Sequence, residues 1–456
     1  MERKQTIIFF LIAAAALLIA GQSITFSFWE VHENNNNRLV QKASLFENEN
    51  NNIIPTQLSS GNSNNTFQVL PDPAPPTISD PNIRVEKVIT GLEMPTSMAF
   101  LDNDDIIITQ KDNGRVRLVS NGILQPQPIL QVPVVNNSER GLLGVAIANT
   151  TSSTMKTVFL YYTEPVGDEV KNRIYRYEWN GTGNLTGGQL ILDLPGEPGP
   201  NHDGGKIAIG PDRMLYAVIG DLNRDGMLQN VIDGPPPDDT SVILRVDYNG
   251  SGVGNSLSGG PTDLSKYYAY GIRNSFGFDF DPLTGILWDT ENGSTEYDEI
   301  NIVLPGFNSG WNRVMGPIGT EGITPQDLVQ FEGSHYADPV FSWLRTPAVT
   351  DIEIFNSSSL GERYTYNMFV GDFNNGNLYF FPINTNRTGV DLGGIAGLED
   401  LVADNNEELN AVILGRGFSG GITDIETGPD GYLYILTLAG DLYRIVPGAP
   451  PTPAIS

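Results

Sequence analysis

Six times along the chain an apolar or aromatic residue leads into a turn carrying aspartate and then into a short apolar strand rich in tyrosine. This degenerate repeat constrains the fold more than any other feature. Its instances run from Phe100-Leu101-Asp102 to Val119, from Val158 to Trp179, from Ile209 to Val246, from Phe280-Asp281-Pro282 to Ile302, from Phe369 to Ile383, and from Gly428-Pro429-Asp430-Gly431 to Ile445. A Gly-Pro-Asp turn sets proline early in a tight bend with a small acidic residue beside it, so each strand re-enters its sheet at a fixed place. Helical periodicity is scarce, and short alternating runs bounded by Gly, Pro, Asn and Asp dominate, which is an all-β pattern. Six units of irregular length, with long insertions after the third, fourth and fifth, predict a six-bladed β-propeller with long loops on one face. A pair of β-sandwiches is the alternative.

The 456 residues suffice for a large core, and 39% hydrophobic with 18% charged residues is an ordinary globular composition. A net charge of −28 repels phosphate backbones and anionic membrane surfaces, so nucleic acid is excluded as a partner and small neutral molecules or cations are favoured. With no cysteine there are no disulfides, thiolate chemistry, Fe–S clusters or Cys-ligated zinc. Arg3 and Lys4 precede an apolar run from Thr6 to Gly21 that continues with mild polarity to Trp29. Residues 1–31 therefore read as a signal anchor, with a cleaved signal peptide as the alternative. The expected location is the extracellular face of the membrane, touched through the N-terminal segment only, or the exterior if the leader is cleaved. Residues 32–82 are rich in Asn, Ser and Pro and read as a disordered linker, 83–447 as the folded domain, and 448–456 as a disordered tail.

Of three histidines, His32 falls by the leader and His335 in an irregular stretch, which leaves His202 as the proton acceptor of the folded core. It sits in Gly199-Pro200-Asn201-His202-Asp203-Gly204-Gly205-Lys206, and the strand that follows ends in Gly220-Asp221, a carboxylate for the imidazole. The run Tyr270-Gly271-Ile272-Arg273-Asn274 adds a guanidinium that can hold an oxyanion with two parallel donors. Carboxylates, amides and backbone carbonyls between Thr290 and Asn312 are oxygen ligands of the kind calcium prefers. Asp221-Leu222-Asn223-Arg224-Asp225-Gly226 opens like an EF-hand loop, but its twelfth position is Ile232 and no helices flank it.

Taken in order, these stretches resemble the soluble quinoprotein glucose dehydrogenase and aldose sugar dehydrogenase family, the glucose/sorbosone dehydrogenase domain. The resemblance spans Val85 to Val446. It rests on Gly91-Leu92-Glu93-Met94-Pro95, Glu139-Arg140-Gly141-Leu142-Leu143-Gly144, the His202 motif, Gly220-Asp221, Ile243 to Asp247, Gly271 to Asn274, and Asp298-Glu299-Ile300-Asn301 with Gly310-Trp311. It implies a propeller holding pyrroloquinoline quinone (PQQ) and Ca²⁺ over its axis and oxidising an aldose at C1, with electrons passing to an unidentified acceptor. His202 would be the base and Asp221 its partner. Arg273 and Asn274 would contact the quinone, and the carbonyls of Gly293 and Ser294 would ligate calcium. The chain departs from the family in four places. Glu139 stands where the family has a cofactor-binding glutamine, Asn374-Asn375-Gly376 where it has Lys-Arg-Gly, and Gly421 and Thr423 near its two late arginines. Arg345 and Arg416 are the candidates to replace those cations. Two other readings on the same scaffold are a non-enzymatic binding or adhesion module and a calcium-dependent hydrolase.

Overall fold

The computed structural model describes residues 27–33, 39–45, 74–149, 155–254, 257, 264–319 and 322–448. These fall into two compact units, Met1–Pro71 and Asp72–Ser456. In the first, Ser27–Glu33 pairs antiparallel with Leu39–Leu45. Phe28 and Trp29, assigned above to the leader, and the part of the linker from 39 to 45 are thus strand residues. The run Thr6 to Gly21 lies outside the described residues, and among the described residues no helix is long and apolar enough to cross a membrane. The 448–456 tail likewise lies outside the description beyond Gly448.

The described residues of the second unit form six sheets with an antiparallel core of successive strands. The first strands of the sheets are Pro95–Phe100, Leu142–Asn149, Ile207–Ile209, Ser275–Phe280, Val349–Ile354 and Ile422–Thr427. Each packs beside the first strand of the next sheet, or the strand paired with it, and Ile422–Thr427 packs beside Pro95–Phe100, so the sheets close into a ring. The molecule is an all-β propeller. A closed ring leaves no place for two facing sandwiches, because every sheet meets two neighbours rather than one.

The ring is fastened by strands from the N-terminal side. Ile83–Ile89 pairs with Leu442–Pro447 and completes the last sheet. Thr77–Ile78, inside the stretch that composition assigned to the linker, pairs with Ile413–Arg416. The domain therefore starts earlier than residue 83. The linker composition concealed this because two strand residues bordered by prolines carry no periodicity.

The repeat seen in the sequence is the turn between a first and a second strand. In Gly210-Pro211-Asp212 the Asp212 carboxylate accepts from the Met214 N–H at 3.1 Å and from the Tyr216 hydroxyl at 3.1 Å. Asp430 does the same with Tyr432 N–H at 3.1 Å and the Tyr434 hydroxyl at 2.9 Å. One aspartate thus satisfies a turn donor and fixes the strand tyrosine, which then packs between sheets. The core lies in these inter-sheet layers: Phe159, Tyr161 and Ile174 of the second sheet meet Leu215, Val242 and Leu244 of the third, all fully buried. Each such side chain contributes about 1.5–3 kcal/mol of transfer free energy.

Candidate active site

The loop before Ile207–Ile209 carries His202 in a left-handed conformation, φ 65°. The loop is held against its neighbours by glycines: a Cβ on Gly204 would lie 2.2 Å from the Val218 carbonyl oxygen, and one on Gly205 would lie 2.6 Å from Leu143 Cβ. The His202 N–H donates to Glu139 Oε2 at 2.6 Å, and its Nδ1 lies 2.6 Å from Asp221 Oδ1. A carboxylate facing Nδ1 takes that proton as its hydrogen bond, which leaves Nε2 with the lone pair. The residue is buried save for one edge.

Asp221 stands just past the strand Leu215–Ile219 and is held from three sides. Oδ1 also accepts from the Asn223 N–H at 2.8 Å, Oδ2 accepts from Trp311 Nε1 at 2.6 Å, and the Asp221 N–H donates to the Arg273 carbonyl at 2.9 Å. Both of its oxygens are engaged, and Arg224 is paired with Asp238, so Asp221 to Gly226 is an imidazole-holding turn rather than an EF-hand.

Arg273 and Asn274 lead into the strand Ser275–Phe280. The Arg273 N–H donates to Glu291 Oε1 at 2.6 Å, and Nη1 donates to the carbonyls of Asn292 at 2.7 Å and Gly293 at 2.8 Å. Its guanidinium lies 5.3 Å from the Trp311 ring centre. Burial pulls the Arg273 pKa below its usual value, and the nearby Asp221, Glu291 and Glu139 only partly offset this. Asn274 Nδ2 lies 3.3 Å from Glu139 Oε2, so Glu139 joins the backbone of His202 to the amide of Asn274.

His202, Glu139, Arg273 and Asn274 face one cavity of about 570 Å³. Arg273, Asn274, Asn292 and Thr350 supply polar lining, and their Nε, Oδ1, Oδ1 and Oγ1 atoms are buried without a hydrogen-bond partner. The same lining includes the apolar side chains of Met94, Leu143, Phe276, Phe373 and Leu438, suited to a flat ring. Asp298 closes the floor, accepting from the N–H groups of Gly293 at 3.0 Å, Ala348 at 2.7 Å and Val349 at 3.2 Å. Burial nevertheless raises its pKa to about 6.

Four of the residues expected in the site are placed elsewhere or otherwise engaged. Arg345 is exposed and outside the cavity lining, although its neighbour Thr346 lines it. Arg416 is exposed on the outer strand that pairs with Thr77 and donates to Asn410. Neither supplies the cations that the family's pattern has near Asn374, Gly421 and Thr423, and Thr423 itself faces the cavity as a neutral residue. Gly293 lines the cavity and its carbonyl accepts from Arg273, while Ser294 lines a separate pocket with Trp311.

A different oxygen cluster lies behind Arg273. Asp289 and Glu291 share one face of Leu287–Glu291, and Glu299 pairs opposite Glu291. All three carboxylates are buried, and neither oxygen of Asp289 completes a hydrogen bond, though Asn301 and Ser275 are close. Burial, then the charge of Glu291, pushes both Asp289 and Glu299 far above the carboxylate range, and burial raises Glu291 to about 7. Among the described residues, the acidic group whose oxygens lie within 4.8 Å of one another is instead Asp351, Asp424 and Glu426, beside Lys206. The alternation of acid at 289, 291 and 299 was the available signal, but an acidic loop in so anionic a chain carried little weight. Also unforeseen are Lys111 and Lys206 at the cavity wall. Lys111 Nζ donates to Asp112 at 2.8 Å and to the Asn136 carbonyl at 3.0 Å, and Lys206 is bound to buried acids.

Comparison with known proteins decides the family. The glucose/sorbosone dehydrogenase model matches residues 92–444. The chain belongs to that family. The family is one of sugar-dehydrogenase-type oxidoreductases, so the protein is an enzyme. Aldose sugar dehydrogenase YliI of Escherichia coli strain K12 is 28% identical over 389 residues, covering 80% of this chain and 93% of its own. The crystal structure of the soluble E. coli aldose sugar dehydrogenase in its apo-form superposes with a TM-score of 0.62 at 24% identity, covering 80% of this chain and 99% of that one. The PQQ-bound aldose sugar dehydrogenase of Streptomyces coelicolor gives 0.59 at 23% identity, over 80% of this chain and 99% of that one. At such identities the two structures speak for the propeller fold.

Proposed function

We propose that this member of the family is a six-bladed propeller that oxidises an aldose, or a similar sugar alcohol group, at C1 with PQQ as cofactor. The observation that carries the reading is the His202–Asp221 pair, 2.6 Å apart, with His202 lining the cavity that Arg273 and Asn274 also line. The Arg273 guanidinium and the apolar side chains that share the lining suit a planar, oxygen-rich cofactor. Bound PQQ supplies the acceptor for the hydrogen and two electrons leaving C1.

The chain's own part is placement and proton transfer. His202 Nε2 takes the proton of the C1 hydroxyl, and Asp221 stabilises the imidazolium that results while holding the ring's orientation. Arg273 and Asn274 would contact the cofactor, and Glu139 ties the Asn274 amide to the His202 backbone. Uptake of protons would relieve the mutual repulsion of the buried Asp289, Glu291 and Glu299 behind the loop of Arg273. With Arg345 and Arg416 outside the cavity, Lys111 and Lys206 are the amines left near the cofactor's carboxylates. The location we propose is the extracellular face of the membrane, on the strength of Arg3, Lys4 and the apolar run that follows.

Titration of the purified protein with PQQ and Ca²⁺, followed by the quinone spectrum and then by aldoses with an artificial electron acceptor, tests this reading. Saturable binding and aldose turnover are expected, and an absence of binding at micromolar quinone would sink it. His202→Ala should lower kcat by roughly 100- to 10,000-fold. Turnover that survives this change would remove His202 as the base.

A further inference from the structure

The indole of Trp311 touches both halves of the site without lining the cavity. Its Nε1–H donates to Asp221 Oδ2 at 2.6 Å, and its ring lies 5.3 Å below the Arg273 guanidinium. Asp221 faces His202 with its other oxygen, so one ring connects the proposed base to the proposed cofactor cation. The side chain instead borders a neighbouring pocket of about 360 Å³ with Tyr297 and Val314.

The backbone beneath it is fixed. The Trp311 N–H donates to the Gly271 carbonyl at 3.1 Å, and its carbonyl accepts from Asn230 Nδ2 at 2.8 Å. Asn230 is itself buried and exchanges hydrogen bonds with Asn308, Nδ2 to Oδ1 at 2.9 Å and the reverse at 2.8 Å. The next residue, Asn312, donates its N–H to the Gln229 carbonyl at 2.8 Å and its amide to Asp225 at 3.0 Å. An aromatic ring anchored on both sides of its own Cα is a rigid support, the arrangement that holds reacting groups within a fraction of an ångström.

The two contacts do different work. A carboxylate that accepts from both an imidazole and an indole cannot rotate about its Cβ–Cγ bond without breaking one of two short, charge-assisted bonds. The aromatic face attracts the guanidinium and keeps it from folding back onto Asp221, the carboxylate nearest in charge. We propose that Trp311 is a positioning residue that orients Asp221, and through it His202, by its N–H and holds Arg273 by its ring face. This inference rests on the sugar-oxidising role proposed above.

Trp311→Phe keeps a ring under Arg273 and removes only the donor. It should lower kcat roughly 10- to 100-fold, the size expected for one hydrogen bond to a charged group, with KM and quinone affinity unchanged. Replacement of Trp311 by a benzothienyl-alanine of the same shape should reproduce that loss and guards against a packing defect in the phenylalanine variant. Adding Trp311→Phe to Asp221→Asn should cost no further activity, because the two changes break one chain of contacts. Trp311→Leu should in addition weaken quinone binding. A wild-type kcat in either donor-less variant, or additive losses in the double variant, would overturn the orienting role, and unchanged quinone affinity in Trp311→Leu would overturn the role toward Arg273. One readout is independent of turnover. In cofactor-free protein the proton shared by His202 Nδ1 and Asp221 gives a downfield NMR resonance, which Trp311→Phe should displace. An unmoved resonance defeats the inference even if sugars are oxidised, and a displaced one supports it even if PQQ proves the wrong cofactor.

Discussion

Two groups of three carboxylates sit near the site, all buried but the partly exposed Glu426, and they are neutralised in opposite ways. Asp351, Asp424 and Glu426 point from the first strands Val349–Ile354 and Ile422–Thr427 toward Lys206, whose Nζ lies 2.8, 2.9 and 3.6 Å from them. Burial alone would pull the Lys206 ammonium down, yet these charges carry it well above its ordinary pKa. Asp289, Glu291 and Glu299 have no such ammonium, and Asp289 keeps both oxygens unsatisfied. The first group carries its cation on the chain, so it is complete as soon as the chain folds. The second must take up protons, so its stability depends on what the solution supplies.

Removing the built-in cation makes the first group resemble the second. Lys206→Met should destabilise the protein by about 3–5 kcal/mol in urea unfolding, since three carboxylates then share a buried space without a charge partner. Their oxygens lie within 4.8 Å of one another, so calcium should recover part of that loss. A variant as stable as the parent would show that the axial charges are not interacting as their distances imply. Asp289→Asn should make the protein more stable in urea unfolding by removing one buried carboxylate from the second group, and an unchanged midpoint would show that these charges do not repel one another.

Asp203 offers a single-carboxylate case between the two. It is fully buried, accepts from Asn172 Nδ2 at 2.9 Å, has Arg140 Nε 3.7 Å away, and leaves Oδ2 unpaired. Burial raises its pKa to about 6. The folded state therefore holds the proton to a higher pH than the unfolded chain does, and this contribution to stability falls as pH rises from about 4 through about 6. The loss should be about 3 kcal/mol by thermal unfolding, and Asp203→Asn should flatten it. The smallest effect belongs to cations outside any such group. Arg345→Ala and Arg416→Ala should each change stability by less than about 0.5 kcal/mol and leave quinone affinity unaltered. A marked loss of affinity in either would return that arginine to the cofactor site.

Much of the fold was legible because the turn aspartates repeat with their strand tyrosines, as Asp212 with Tyr216 and Asp430 with Tyr434 show. The site's centre was legible for a related reason. His202, Asp221, Arg273 and Asn274 all stand at strand ends, where a propeller brings loops together; His202, Arg273 and Asn274 line one cavity, and Asp221 holds His202 from behind. Arg345 and Arg416 were misplaced because nearness in register does not tell which way a side chain leaves its strand. Gly293 and Ser294 are adjacent in sequence, yet one faces the cavity and the other the pocket beside it.

By itself the sequence determined the all-β class, the repeating unit and the pairing of one histidine with one aspartate, because each depends on local turn chemistry and on residue types too rare to be confused. Only the tertiary structure decided that Trp311 connects Asp221 to Arg273, that Lys206 neutralises acids more than 140 residues away in the chain, and that Asp289, Glu291 and Glu299 converge without a cation. Those outcomes depend on which side chains meet when the ring of sheets closes, and closure brings together residues whose spacing along the chain carries no trace of it.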